Sequence, residues 1–261
     1  MRTYRDLNEH VHEVNLEKMD YEGPGEMRVR LVDFMGDDAS VVEAARVSVK
    51  SGLKGAEKDR KLIKYLAEHS HMTPFEHVVF KFYIKCPLCI AVHVLRHRTF
   101  SYNMLSRRYT SRDITFYLPD ELRSQSQTDK QGSEGIIEAP ELLREMKEFY
   151  ESSYRLYKKL IDAGVAREIA RFVLPQGVFT EFYMTGNLRN YMHFVELRLD
   201  RHAQYEVQWV ASAILRCMYE LAPVSVSSLW WYHIKGRVEL SERIGELVED
   251  LVEAMEKEVM K

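Results

Sequence analysis

Hydrophobic and polar positions change period several times along the chain, and each change marks an element. Val29, Leu31 and then, after a switch, Val32 and Phe34 alternate with their neighbours between Arg28 and Met35, which predicts a strand ended by Gly36. Ser40 followed three residues later by Glu43 has the form of a capping box ahead of Val41, Val42, Ala44, Ala45 and Val47. A helix is therefore expected from about Val41, closed by Gly52 and Gly55. Leu62, Ile63, Leu66 and Ala67 recur at helical spacing within 57–68, with Thr73-Pro74 just beyond. Val78, Phe80, Phe82 and Ile84 alternate with Val79, Lys81, Tyr83 and Lys85, a strand with one drier face. Pro87 suits a first helical position and opens an apolar stretch to Leu95 that stops in Arg96-His97-Arg98. Residues 123–135 carry no hydrophobe and predict a mobile loop or the edge of an inserted segment. From Pro140 onward almost everything reads as helix: 141–164, 167–173, 187–199, 202–221 and 240–260.

Residues 1–26 are polar, carry Gly23-Pro24-Gly25 and show no sustained period, so they are expected to form an N-terminal extension. Residues 27–235 then form one domain and 236–261 a C-terminal helix. A sheet-forming first half with interspersed helices, a helical second half and no dividing linker predict a single α/β (α+β) domain with a mixed or antiparallel sheet.

Composition narrows the function. With 46% hydrophobic and 30% charged residues the 261-residue chain folds rather than remaining disordered. Its net charge of -3 provides no global pull toward nucleic acid or an anionic membrane, so any anion site must be local. The apolar run from Ile84 to Leu95 contains Lys85 and His93 and is far shorter than the ~20 residues that span a bilayer. The start of the chain, with Arg2, Arg5, Asp6 and Glu9, has no apolar signal region, and three cysteines are too few for a disulfide framework. A cytoplasmic location is expected.

No stretch matches G-x-G-x-x-G or the P-loop, so glycine-rich backbone cradles are not the device for holding phosphate. Residues 96–111 have no carboxylate, and the segment to Arg112 gathers Arg96, Arg98, Arg107, Arg108 and Arg112 among Phe100, Tyr102, Met104, Leu105 and Tyr109. Guanidinium forks on a packed backbone suit anions; the alternative is a solvated basic face. On the helix expected at 187–199, Arg189 and His193 share a face, and Arg198 lies about 140° round from His193. An ordinary helix with Glu196 paired to Arg189 or Arg198 is the plain alternative.

Arg96-His97-Arg98, followed by Ser106 within SYNMLSRRY, resembles the signature of the flavin-dependent thymidylate synthases. Three further blocks carry the resemblance: 69–77 (HSHMTPFEH), 170–175 (ARFVLP) and 187–206. It runs in order from about Val29 to Leu221 and implies methylation of dUMP with FAD, 5,10-methylenetetrahydrofolate as carbon donor and NADPH as reductant. Residue by residue, it implies that Arg96, His97 and Arg98 contact FAD, with Arg96 also reaching the nucleotide. Thr73, Asn187, Arg189, His193 and His71 would line the flavin site. Ser106, Arg107, Arg108 and Arg171 would hold dUMP, and Arg198 matches the catalytic arginine that lies against the pyrimidine. His93, at a substrate-binding position, stands where many relatives have Gln, and Met104 stands where they have Glu or Gln; Met104 cannot accept a charged hydrogen bond. The resemblance also implies a homotetramer with active sites between subunits.

Other readings are weaker. Cys86-Pro87-Leu88-Cys89, between a strand and a helix start, is placed like a redox dithiol but lacks the surrounding context, and buried structural thiols are the simpler expectation. His69, His71 and His77 match no standard metal spacing, and His202 with Glu206 is simply a helical pair, so no metal is expected. Ser106 lacks the G-x-S-x-G turn of a hydrolytic nucleophile. The runner-up is a nucleic-acid-binding module built on Arg96–Arg112, against which the net negative charge argues.

Overall fold

The computed structural model describes residues 2–127 and 130–261. In chain order these form β1 (Arg2–Arg5), β2 (Val11–Val14), β3 (Asp20–Glu22), β4 (Arg28–Met35), α1 (Asp38–Arg46), α2 (Ala56–Glu68), β5 (Val79–Pro87), α3 (Leu88–Val94) and β6 (Ser101–Met104). There follow β7 (Leu122–Gln125), β8 (Ser133–Ile137), α4 (Pro140–Asp162), α5 (Arg167–Ala170), β9 (Phe179–Asn187), α6 (Leu188–Leu199), α7 (Tyr205–Leu221), α8 (Pro223–Leu229) and α9 (Glu242–Met260). A π-helical turn, Trp230–Ile234, continues α8.

The main sheet has the order β3-β4-β5-β9-β6 and is antiparallel at every pairing. The alternation seen in β5 is real: Phe80, Phe82, Ile84 and Cys86 are fully buried. They face the layer of α6 and α7, where Phe82 meets Tyr191 edge-on at 5.3 Å. The expectation that the second half is almost all helix is corrected by β9, which lies between β5 and β6. Asn187 is both the last residue of β9 and the N-cap of α6, so no turn residues separate strand from helix. Gly186 allows a close approach: a Cβ there would lie 2.3 Å from the Phe100 ring, which packs over β9 against Tyr191 at 4.6 Å.

Three further expectations change. The capping box of α1 is Asp37 with Ser40 rather than Ser40 with Glu43: Ser40 N donates to Asp37 Oδ1 at 2.9 Å and Asp37 N to Ser40 Oγ at 3.2 Å. The helix thus starts at Asp38, while Glu43 pairs with Arg5 at 3.0 Å. Residues 1–26 are more than an extension, because β3 adds to the sheet, with Tyr21 opposite Val29, and Leu7 and Met19 enter the core. These pieces are three or four residues long, too short to show a period. The polar stretch 123–135 contributes to a hairpin of β7 and β8 outside the main sheet, where no buried face demands alternation; Thr128 and Asp129 lie outside the described residues. The C-terminal helix expected over 240–260 is present as α9, and it inserts Ile244, Val248, Leu251 and Met255 into the same core as the sheet.

Candidate active site

Helix α6 organises the site. The Asn187 side chain accepts from Asn190 N at 2.9 Å, satisfying a free N–H of the first turn. Asn190 Nδ2 in turn donates to Thr99 O at 3.2 Å, tying the Arg96–Arg98 turn to the start of the helix. Tyr102 OH, from β6, lies 3.0 Å from Val94 O and 2.9 Å from His97 O and closes the turn from the other side. The His97 imidazole is thereby buried, edge-on to Phe194 at 4.8 Å.

Arg198 Nε donates to His97 Nε2 at 2.9 Å. Accepting there requires a neutral imidazole with its proton on Nδ1. The electrostatics agree: burial, then the charge of Arg198, then His193, push the imidazole down to about 4. Burial lowers the Arg198 guanidinium from its ordinary value without discharging it, and its terminal N–H groups have no hydrogen-bond partner among the described residues. The pair is a cation held in one orientation by a neutral acceptor.

Two clefts flank α6. The larger, about 1130 Å³, is lined by His93, Arg198, Tyr117, Tyr150, Arg123 and Glu206 among others. The smaller, about 590 Å³, is lined by Arg189, His193 and Glu196 from α6, by Met72, and by His233 and Arg237 from beyond α8. The division follows the angular offset along the helix, with Arg189 and His193 opening on one side and Arg198 on the other. Glu196 pairs with His193 at 3.4 Å and Arg237 at 3.8 Å, while Arg189 pairs with Glu76 at 2.5 Å. Burial, Arg198 and Arg96 lower the His93 imidazole from its ordinary value.

The remaining sequence-predicted residues are spread more widely. Arg96, Arg98, Thr73 and His71 are exposed. Arg107, its guanidinium lowered by burial, donates to the carbonyls of Arg112 at 2.5 Å, Asp113 at 3.2 Å and Phe179 at 3.4 Å. Arg108 lies 3.8 Å from Glu168, and Ser106 Oγ accepts from Arg108 N at 3.3 Å. Neither Ser106–Arg108 nor the half-buried Arg171 lines the cleft that holds Arg198. The interleaved hydrophobes are only partly packed: Phe100 is buried, whereas Met104 and Tyr109 are exposed.

Sequence reasoning undervalued Glu206. It does not pair with His202, which bonds Asp200 at 2.6 Å. Instead its buried carboxylate takes Arg123 Nη2 at 2.7 Å and Tyr117 OH at 3.0 Å, joining α7 to the β7–β8 hairpin across the large cleft. Burial raises the carboxyl, but the hydrogen bond and charge of Arg123, with Tyr117, outweigh it and leave Glu206 below its ordinary value. The available signal was a carboxylate in the first turn of a largely buried helix, α7. The Cys86 and Cys217 thiols are buried and pushed up by that burial, and Cys89, half-buried at the start of α3, is raised for the same reason. The thiolate character a redox pair needs is absent. Among the described residues no group of three or more His, Cys, Asp or Glu could hold a metal ion, and no helix is long and apolar enough to cross a membrane.

The family model described as thymidylate synthase complementing protein matches residues 30–224. The chain belongs to the flavin-dependent thymidylate synthase family. A relative of that name from Thermosipho melanesiensis is 45% identical over 213 residues, 80% of this chain and 93% of that one. Another from Thermus thermophilus is 42% identical over 229 residues, 86% of this chain and 85% of its own. Among solved structures, the UMP/dUMP methylase PolB from Streptomyces cacaoi, bound with 5-Br dUMP, matches with a TM-score of 0.75 and 34% identity over 84% of this chain and 99% of its own. The family match spans both clefts' α6 residues, the Arg96–Arg98 turn and Ser106–Arg108, and leaves β1 to β3 and α9 outside it.

Proposed function

We propose that this chain reductively methylates dUMP to dTMP, with FAD as its flavin, 5,10-methylenetetrahydrofolate as carbon donor and NADPH as reductant. The observation that carries the reading is the Arg198–His97 pair: an oriented guanidinium whose terminal N–H groups have no partner among the described residues, at a large cleft, in a chain of this family. Set against a pyrimidine, that guanidinium stabilises negative charge developing at N3, and the neutral His97 fixes its direction without opposing its charge. Arg108 and Arg171 hold donors for the nucleotide phosphate, and Ser106 adds a hydroxyl.

The donor set fits FAD. Arg96, Arg98 and Arg189 offer guanidiniums to a diphosphate, and His71 and His193 offer imidazole surfaces to a flat ring, all at exposed positions around α6 and the turns facing it. When bound, FAD supplies the hydride that completes the methyl group. Asn187 and Asn190 hold the helix start and the Arg96–Arg98 turn together, so that these groups are oriented before any ligand arrives.

The assembly we propose is a homotetramer with active sites between subunits. Its support is the separation of Ser106–Arg108 and Arg171 from the cleft of Arg198 within one chain, together with the exposed Leu142, Phe149 and Leu156 of α4. Three unpaired cysteines suit a reducing, cytoplasmic compartment. The direct test of the cofactor is the absorption spectrum of the purified protein and the identity of the flavin released from it. Release or stoichiometric uptake of FAD is expected; a colourless protein that takes up none, yet binds nucleic acid with steep salt dependence, would return the Arg96–Arg112 segment to the rival reading.

A further inference from the structure

The small cleft beside Arg189 and His193 has a second wall that the family match does not reach, since that match ends at residue 224. This wall is built by the chain leaving α8: Leu229, His233, Ile234 and Arg237. The segment is fixed at several points. His233 Nε2 lies 2.7 Å from Ala67 O, tying it to α2, and Arg237 N and Val238 N both donate to Ile234 O, at 2.9 and 3.2 Å. Two residues on, Glu239 N donates to Asp200 Oδ2 at 3.1 Å and Arg201 N to Glu239 O at 2.7 Å, which attaches the segment to the end of α6.

The backbone of Arg237 is therefore held while its side chain remains 64% exposed, with a loose contact to Glu196 at 3.8 Å. Arg189 lines the same cleft, together with Met72, Met192 and Ile234, apolar side chains of the kind a flat ring or a sugar covers. Arg189 is held by Glu76 at 2.5 Å, whereas Arg237 lies 3.8 Å from Glu196, so the guanidinium of Arg237 is the more loosely engaged of the two and the more open to an anion such as a diphosphate. We propose that Arg237 is a further cofactor-binding residue, an additional guanidinium beside Arg189 for the diphosphate of FAD, supplied by the C-terminal segment. The inference rests on the reading of this cleft as part of the flavin site.

The test is the dissociation constant of FAD for the full-length chain stripped of flavin, followed by fluorescence quenching in the parent, Arg237→Ala, Arg189→Ala, Glu196→Gln and the double variant Arg237→Ala/Glu196→Gln. Arg237→Ala should weaken FAD about tenfold or more, the scale of one lost charge-assisted contact, with an unchanged thermal midpoint because Arg237 is largely in solvent. The double variant should stay weak. Parent-like affinity in Arg237→Ala, with Arg189→Ala weakened, would overturn the role of Arg237 and leave the flavin site standing. Recovery in the double variant would also overturn it, since the loss would then come from an unshielded Glu196. If Arg189→Ala and Arg237→Ala both bind FAD as the parent does, the reading of the cleft itself falls.

Discussion

Removing the partner of Glu206 should hurt the fold more than removing Glu206 itself. The carboxylate is 2% exposed and takes hydrogen bonds from Arg123 and Tyr117, while its Oε2 is buried with no partner among the described residues. Glu206→Ala loses a charge-assisted bond, roughly 1.5–3 kcal/mol, and strands the Tyr117 hydroxyl, about 1–3 kcal/mol. It also relieves the burial of a charge with an unsatisfied oxygen, which offsets part of that loss, so a net of about 3 kcal/mol is expected. Arg123→Ala leaves the buried carboxylate with Tyr117 alone, and breaking a buried pair from that side costs about 3–5 kcal/mol. Tyr117→Phe, which removes one donor, should cost about 1 kcal/mol. The order is measured by urea unfolding at pH 7, and a double-mutant cycle between Glu206→Ala and Arg123→Ala should show strong coupling. A second signature is pH. Glu206 sits below its ordinary value in the folded parent, so its contribution is present above the unfolded value and is lost as the pH falls through the folded one. In Arg123→Ala the carboxyl can protonate early, and the gap between variant and parent should narrow on acidification. Equal costs for the three variants, or a cycle with no coupling, would show that the cluster does not join the hairpin to α7.

The remaining predictions concern the site. Because His97 is held at about 4, against an ordinary imidazole value of about 6.5, the folded state resists its protonation, and stability present above pH 6.5 should be lost progressively as pH falls toward 4. His97→Gln should show up to about 3 kcal/mol less of this acid loss than the parent; Asp38, buried and raised to about 6, acts in the same window with opposite sign but is common to both chains. Ser106→Ala/Arg107→Ala and Arg198→Ala variants, each inactive alone, should recover roughly a quarter of parental turnover when subunits are mixed, if the sites are shared; no recovery in verified mixed oligomers would place both elements in one chain. Replacing Cys86, Cys89 and Cys217 with Ala should leave dTMP formation within a few-fold of the parent, and loss of turnover without unfolding would make a thiol part of the chemistry.

What was legible in the sequence was legible because a period or a motif had room to repeat. The eight residues of β4 and the nine of β5 are long enough to alternate, and the apolar spacing of α2, α6 and α7 locates them. The strand β9 was hidden by its position. Although as long as β5, it runs directly into α6 with no turn residues between, so the strong helical spacing just after it masked the strand. The angular offset of Arg198 from His193 already kept them off one stripe of α6, and they line different clefts, since helical geometry alone decides it. The Arg198–His97 bond and the Glu206–Arg123 bond join residues 101 and 83 positions apart, and no local pattern encodes a pairing at that range. Arg237 was equally silent, an exposed arginine before a helix until the fold brought it to the cleft that Arg189 lines.

The central claim is that Arg198, oriented by His97, makes this chain a flavin-dependent producer of dTMP, and one measurement addresses it most directly. Product formation is followed with dUMP, 5,10-methylenetetrahydrofolate, NADPH and FAD, for the parent and for Arg198→Lys, with the flavin content of both recorded. The account predicts dTMP from the parent only when FAD is present, and an Arg198→Lys chain that keeps its fold and flavin but loses most turnover at saturating dUMP, because a compact ammonium cannot present a planar fork to the pyrimidine. Absence of dTMP from a flavin-loaded parent, or an Arg198→Lys chain as fast as the parent, would contradict it.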